Sequence, residues 1–192
     1  MAHKKLILAS GSPRRKMFFT HLGFEFSIEP SRYEEDLTLD LPPEKLVSFL
    51  SQKKAEEVAS RKSGIIVASD TMVFCDGKAL GKPKSREECL STLRHLSGRS
   101  HFVISAITII DTDSGKKKTA FDKTEVVFRT LSEGEIDAYE RTKEPYDRAG
   151  SYAIQDGGSI FVERLNGCYT NVVGLPVPLL LRMMEEFGVK RY

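Results

Sequence analysis

The chain has 192 residues, 40% hydrophobic and 29% charged, with a formal net charge of +2. That size and balance suit one compact domain over 1–192 and exclude a disordered or fibrous chain. The near cancellation of charge excludes the broad basic field by which proteins hold nucleic acid or anionic lipid, so any anion site has to be local.

The first residues, Met-Ala-His-Lys-Lys, run directly into Leu6-Ile7-Leu8-Ala9. That stretch is too short for a signal-peptide core and reads as a strand, from Lys5 to Ala9. A Gly/Ser/Pro/Arg loop follows, then a helix to about Leu22 with Gly23 just past its end. Phe24 to Ile28 reads as a second strand. A polar stretch with Glu34, Glu35 and Asp36 precedes Pro42-Pro43, after which Leu46, Val47, Phe49, Leu50 and Val58 recur at helical spacing up to about Arg61. Ile65 to Ala68 is wholly apolar, the mark of a strand buried on both faces, and is expected to deliver Ser69, Asp70 and Thr71 at its carboxyl end.

Asp76-Gly77 is a two-residue hairpin signal, and Ser85 with Glu88 reads as a capping box opening a helix to about Leu96. Two long β segments, Phe102 to Ile110 and Thr119 to Arg129, are joined by a turn through Asp113, Ser114 and Gly115. Ser132 with Glu135 forms another capping box. A strand from Ile160 to Leu165 and a helix from about Pro176 to Phe187 complete the chain. No apolar run approaches a membrane span. The alternation of strands and helices predicts an α/β layer architecture around a central sheet.

Leu8-Ala-Ser-Gly-Ser-Pro-Arg-Arg15 is the most informative segment. A strand enters a small-residue turn and then a helix opened by Pro13, so backbone N–H groups, the positive helix end and two guanidinium groups suit a polyphosphate. It lacks the Gly-Lys-Ser/Thr of a P-loop and the three glycines of a dinucleotide fingerprint. The competing reading has Ser12 capping the helix and Arg14 and Arg15 in solvent. Asp70 favours the first, because ligands bind at the carboxyl ends of strands in open α/β sheets. Triphosphate hydrolysis also needs carboxylates and cations. Glu34, Glu35, Lys54 and Lys82 are available, although spacing alone does not select them from ordinary surface charges.

Leu-Ala-Ser-Gly-Ser-Pro-Arg-Arg, Ala-Ser-Asp-Thr, Leu-Gly-Lys-Pro, Leu-Ser-Gly-Arg-Ser-His, Arg-Ala-Gly-Ser-Tyr-Ala-Ile-Gln and Asn-Val-Val-Gly-Leu-Pro occur in this order from Leu6 to Pro176. In this the chain resembles the Maf family of nucleotide pyrophosphatases. The resemblance implies a central twisted mixed sheet flanked by helices, in two lobes with a cleft, similar to the inosine triphosphate pyrophosphatase (Maf/Ham1) fold. It also implies release of pyrophosphate from a nucleoside triphosphate with Mg²⁺ or Mn²⁺, and a homodimer. By resemblance Asp70 is the proton acceptor, and Ser10, Arg15, Glu35, Lys54 and Lys82 line the triphosphate and metal site, with Glu35 and Asp70 the candidate metal ligands. Whether Asp70 acts as base or as ligand stays open at this stage. Arg14, Thr71 and Gln155 match positions associated with base choice in the branch similar to dTTP/UTP pyrophosphatases. A Gln amide has both donor and acceptor, complementing the O4 and N3–H edge of uracil or thymine, whereas cytosine reverses that pattern. Arg148 stands where the family commonly has Lys, and Ser105 where it has Thr.

Two other readings compete. Asp111-Thr-Asp113 resembles the opening of aspartate-nucleophile phosphatases, but Gly115 and the lysines after it read as a hairpin tip. A nucleotide-binding regulator of cell division with little turnover is the other; the presence of the whole catalytic set favours turnover. Cys75, Cys89 and Cys168 are odd in number and far apart, which fits neither a disulfide framework nor a paired-ligand zinc site and suits a reducing, cytoplasmic setting. Cys75 and Cys89 read as small buried hydrophobes. His3, His21, His95 and His101 have no ligand spacing and are read as surface or cap residues.

Overall fold

The computed structural model describes residues 4–36 and 39–189. The strands are β1 (Leu6–Leu8), β2 (Ser27–Ile28), β3 (Ile65–Cys75), β4 (Lys78–Leu80), β5 (Ser100–Asp111), β6 (Lys117–Phe128) and β7 (Val162–Asn166). The helices are α1 (Pro13–His21), α2 (Pro43–Ala59), α3 (Arg86–Leu96), α4 (Glu133–Arg141), α5 (Tyr169–Val173) and α6 (Val177–Glu186). The strands make one seven-stranded sheet in the order β2-β1-β3-β5-β6-β7, with β4 also on β3. β1 runs parallel to β2 and β3, while β4 is antiparallel to β3 and β7 to β6, so the sheet is mixed. His3 lies outside the described residues.

The chain divides into two compact units. The first holds Met1–Thr71, Ser105–Asp122 and Gly174–Tyr192. Here the period-two geometry of β1 and β3 sorts residues between two cores. Leu6, Leu8, Ile65 and Val67 pack with Phe19, Leu180, Met183 and Met184 of α1 and α6, and Ile7, Ala9, Ile66 and Ala68 pack with Ala55 and Val58 of α2. A strand covered by helices on both faces has no room for polar residues, which is why Ile65 to Ala68 reads as an unbroken apolar run. Burying each such aliphatic side chain contributes about 1.5–3 kcal/mol before chain entropy is counted. Gly64 leads into β3 with φ +135°, and a Cβ there would lie 2.3 Å from the Lys5 carbonyl oxygen, so only glycine lets the turn close against the start of β1.

The second unit holds Met72–Ile104 and Lys123–Val173. Its centre is a ring cluster in which Phe128 lies 4.9 Å from His101, 4.7 Å from Tyr152 and 5.8 Å from Phe161, mostly edge to face. His101 is buried and its Nε2 lies 2.8 Å from the Tyr152 hydroxyl, which corrects its reading as a surface residue. Asp76 and Gly77 both take positive φ in the β3–β4 turn, as the hairpin signal requires. At α4 the Ser132–Glu135 capping box is complete. At α3 the Ser85 hydroxyl accepts the Glu88 N–H, but the Glu88 carboxylate takes the Lys84 N–H instead of closing a box.

Two strands, β2 and β3, differ from the sequence expectation in a way that matters for the site. Only Ser27–Ile28 of the segment from Phe24 pairs as a strand, because Phe24 and Phe26 turn in against Phe19 at 5.5 and 5.2 Å. β3 does not end at Ala68 but continues to Cys75, so Asp70 lies within a strand and not at its carboxyl end. What ends there is the neighbour: β1 pairs with β3 only as far as Val67, and the register with β4 resumes at Val73. Asp70 and Thr71 fall where β3 has run past the partner strand, and the chain leaving β1 turns into the Ser10–Ser12 loop.

Candidate active site

In the first unit, β1 fixes the start of this loop and α1 fixes its end. Ser12 is the residue before α1, yet its side chain makes no capping hydrogen bond, against the bland reading of the segment. Its N–H donates instead to Ser10 Oγ at 3.2 Å, and the same hydroxyl accepts Arg15 Nη1 at 3.2 Å. Arg15 also donates from Nε to the Gly174 carbonyl at 3.0 Å and from Nη2 to Thr71 Oγ1 at 3.1 Å. Thr71 Oγ1 in turn lies 2.8 Å from Ser105 Oγ and 3.2 Å from Gly174 O. Arg15 is thus not a solvent-facing charge: its rigid fork ties the loop, β3 and the Gly174 carbonyl in the connection between α5 and α6 to one another. Burial pulls the guanidinium below its ordinary value, Asp70 and Glu35 oppose that, and it stays charged throughout the physiological range.

Beside this network stands a second one. Lys54, on the face of α2 turned to the sheet, places Nζ 2.6 Å from Asp70 Oδ1 and 2.6 Å from Glu35 Oε1. The Asp70 side chain is only 7% exposed and Lys54 only 15%, whereas Glu35 is 40% exposed. Asp70 Oδ2 is buried without a hydrogen-bond partner among the described residues, as is Ser69 Oγ next to it. A buried carboxylate oxygen without a partner carries a desolvation cost of order 1–3 kcal/mol or more, which a bound cation or a donated water proton would relieve. The two networks meet at the Asp70–Thr71 peptide, so Ser10, Arg15, Glu35, Lys54, Asp70 and Thr71 are brought together. Arg14 is half-buried and its charge is felt at Arg15.

Lys82 and Gln155 belong to the second unit. Lys82 is exposed there and pairs with Asp147. Gln155 is exposed in the segment before the 3-10 turn Gly157–Phe161. Tyr139 and Glu144 hold that segment from below, the tyrosine hydroxyl accepting Ala153 N–H at 3.2 Å and the carboxylate accepting Gly157 N–H at 3.1 Å. Gly174, which holds Arg15, and Ser105, which holds Thr71, are partners that spacing cannot identify, since the Arg15–Gly174 contact spans 159 residues and leaves no local signal. Asp111, the heart of the rival phosphatase reading, accepts Lys4 Nζ and Ser114 Oγ, each at 2.6 Å, and the Asp113 N–H at 3.1 Å, the pattern of a turn-forming aspartate.

An anionic set made only of oxygen donors, with one buried oxygen lacking a partner among the described residues, fits a hard divalent cation such as Mg²⁺ or Mn²⁺. Glu35 and Asp70 are the residues of this network able to hold it.

Comparison with known proteins defines first the class and then the family. Among solved structures, the Ham1 protein of Staphylococcus aureus aligns over 96% of this chain and 100% of its own with a TM-score of 0.51 at 13% identity. A HAM1 protein from Coxiella burnetii aligns over 95% and 99% with a TM-score of 0.52, also at 13% identity. At that identity the likeness speaks for the fold alone, a mixed α/β sheet flanked by helices of the Ham1 type.

The chain belongs to the Maf-like protein family, whose profile matches residues 5–187. Among curated relatives, the dTTP/UTP pyrophosphatase of Bacillus velezensis is 47% identical over 97% of this chain and 98% of its own length. Proteins of the same name from Methanococcoides burtonii and Caldicellulosiruptor saccharolyticus are 44% and 43% identical, over 97% and 96% of this chain and 96% of each relative.

Proposed function

We propose that this chain, acting as one catalytic domain over 1–192, hydrolyses dTTP, UTP and related pyrimidine nucleoside triphosphates to the monophosphate and pyrophosphate. The observation that carries the reading is the Glu35–Lys54–Asp70 cluster, whose buried Asp70 Oδ2 has no hydrogen-bond partner among the described residues, beside Arg15. The names of full-length relatives supply the substrate class.

In the proposed reaction a water attacks the α-phosphorus and the α–β bridging bond breaks, giving NMP and pyrophosphate. Asp70 Oδ2 accepts the water's proton. Lys54, bonded to Oδ1, keeps the carboxylate oriented for that task. A divalent ion held by Glu35, with or without Asp70, would neutralise charge on the phosphates. Ser10 and Arg15 bind the triphosphate, and Arg15, Lys54 and Lys82 stabilise the leaving pyrophosphate. Arg14, Thr71 and Gln155 select the base, the Gln155 amide matching uracil or thymine and leaving cytosine unpaired. We further propose a cytoplasmic homodimer that clears unwanted pyrimidine nucleotides. Among the described residues no helix is long and apolar enough to cross a membrane.

A nucleotide panel with pyrophosphate detection tests the reading. The wild-type chain is expected to cleave UTP and dTTP ahead of CTP and the purines. D70N should keep the fold and lose on the order of 10²–10⁴-fold in kcat; undiminished turnover would remove Asp70 from catalysis. Q155A should narrow the gap between UTP and CTP by about tenfold or more, read as the ratio of kcat/KM values.

A further inference from the structure

The second unit contains a group of ligands that the proposed reaction does not use. Cys75 at the end of β3, Asp76 in the β3–β4 turn and His95 in the last turn of α3 each offer one ligand atom, and these atoms lie within 4.8 Å of one another. They come from three elements whose backbones are set by the hairpin and the helix, so the cluster is built by the fold and not by one flexible segment.

We propose that Cys75, Asp76 and His95 form a binding site for a zinc-class divalent cation, distinct in chemistry from the oxygen-only carboxylate site. Sulfur, imidazole nitrogen and carboxylate oxygen together are the donors that zinc takes and magnesium does not. Three protein ligands leave one position for water, the arrangement of an exchangeable site and not of a closed structural one. The Cys75 side chain is buried, and its thiol donates a long, weak contact of 3.9 Å to the Ser100 carbonyl that is readily given up. His95 Nε2 already lies 3.3 Å from Asp76 Oδ2, which places two ligands close to the spacing a shared ion requires.

As the metal–sulfur bond forms, the thiol proton of Cys75 leaves to solvent and the imidazole binds in its neutral form. Arg99 competes, donating from Nη1 to Asp76 Oδ2 at 3.1 Å. The Arg99 and Asp76 side chains are both more than half exposed, so that pair is weak and the guanidinium swings to solvent when the ion arrives. Separations in the sequence gave no sign of this site because its helical ligand comes from an element remote from the other two.

The test is a Co²⁺ titration of the full chain in excess Mg²⁺, followed by thiolate-to-cobalt charge-transfer absorption. One equivalent should produce the band, and Zn²⁺ should bleach it. C75S should abolish it, C168S should leave it, H95Q and D76N should each weaken binding at least tenfold, and R99Q should tighten it. His95 and Asp76 are exposed, so H95Q and D76N remain informative even if C75S fails to fold. Absence of the band, its survival in C75S, or indifference to either H95Q or D76N overturns the proposal.

Discussion

At Arg15 one side chain holds three partners by three of its five N–H bonds: Ser10 Oγ, Thr71 Oγ1 and the Gly174 carbonyl. Lysine keeps the charge but not the planar fork, so R15K cannot span them. We expect R15K to lower kcat/KM for UTP by on the order of tenfold or more and to lower the melting temperature as well. A steady-state assay beside a thermal melt checks both, and an unchanged melt would deny Arg15 its bridging role. The sequence made Arg15 and Asp70 visible as candidates through the small-residue turn and the buried run before Asp70, whereas Ser10 followed only from the family resemblance. It could not show that Lys54 joins Glu35 to Asp70, because a lysine on an amphipathic helix looks the same whether it faces solvent or a carboxylate.

Elements with a strong local cause were the most legible. The Asp76-Gly77 turn, the Ser132 capping box and the double-sided apolar run each follow from rules acting within a few residues. Boundaries set by partners were not. β3 continues past Asp70 because β4 takes up its register at Val73, and Phe24 leaves the strand pattern because Phe19 offers it a ring contact. The short helix α5 has five residues and no apolar period of its own. Asn171 within it is held by tertiary contacts, donating to the Val103 carbonyl and Thr124 Oγ1, each at 2.9 Å. Such an element has no local signature to find.

On the scale of the whole molecule, acid stability turns on His101. Burial holds its imidazole down at about 4, against about 6.5 in an unfolded chain. Above pH 6.5 both states are neutral and nothing is lost. Between about 6.5 and 4 the unfolded chain takes up a proton that the folded one refuses, so stability falls with pH by up to about 1.4 kcal/mol per unit. From pH 7 to 5 this amounts to about 2 kcal/mol, and H101Q should remove most of that drop. Urea midpoints of both proteins at the two pH values measure it; equal slopes would assign the acid sensitivity elsewhere.

The glycine at 64 touches none of the candidate site residues, yet the Lys5 carbonyl that only its missing Cβ leaves room for sits just ahead of the strand that launches Ser10 and Arg15. A methyl group there should cost on the order of 3 kcal/mol or more. G64A would therefore masquerade in a genetic screen as a lesion of the candidate active site. Its signature is recovery of turnover on cooling, which the loss of activity proposed for D70N would lack.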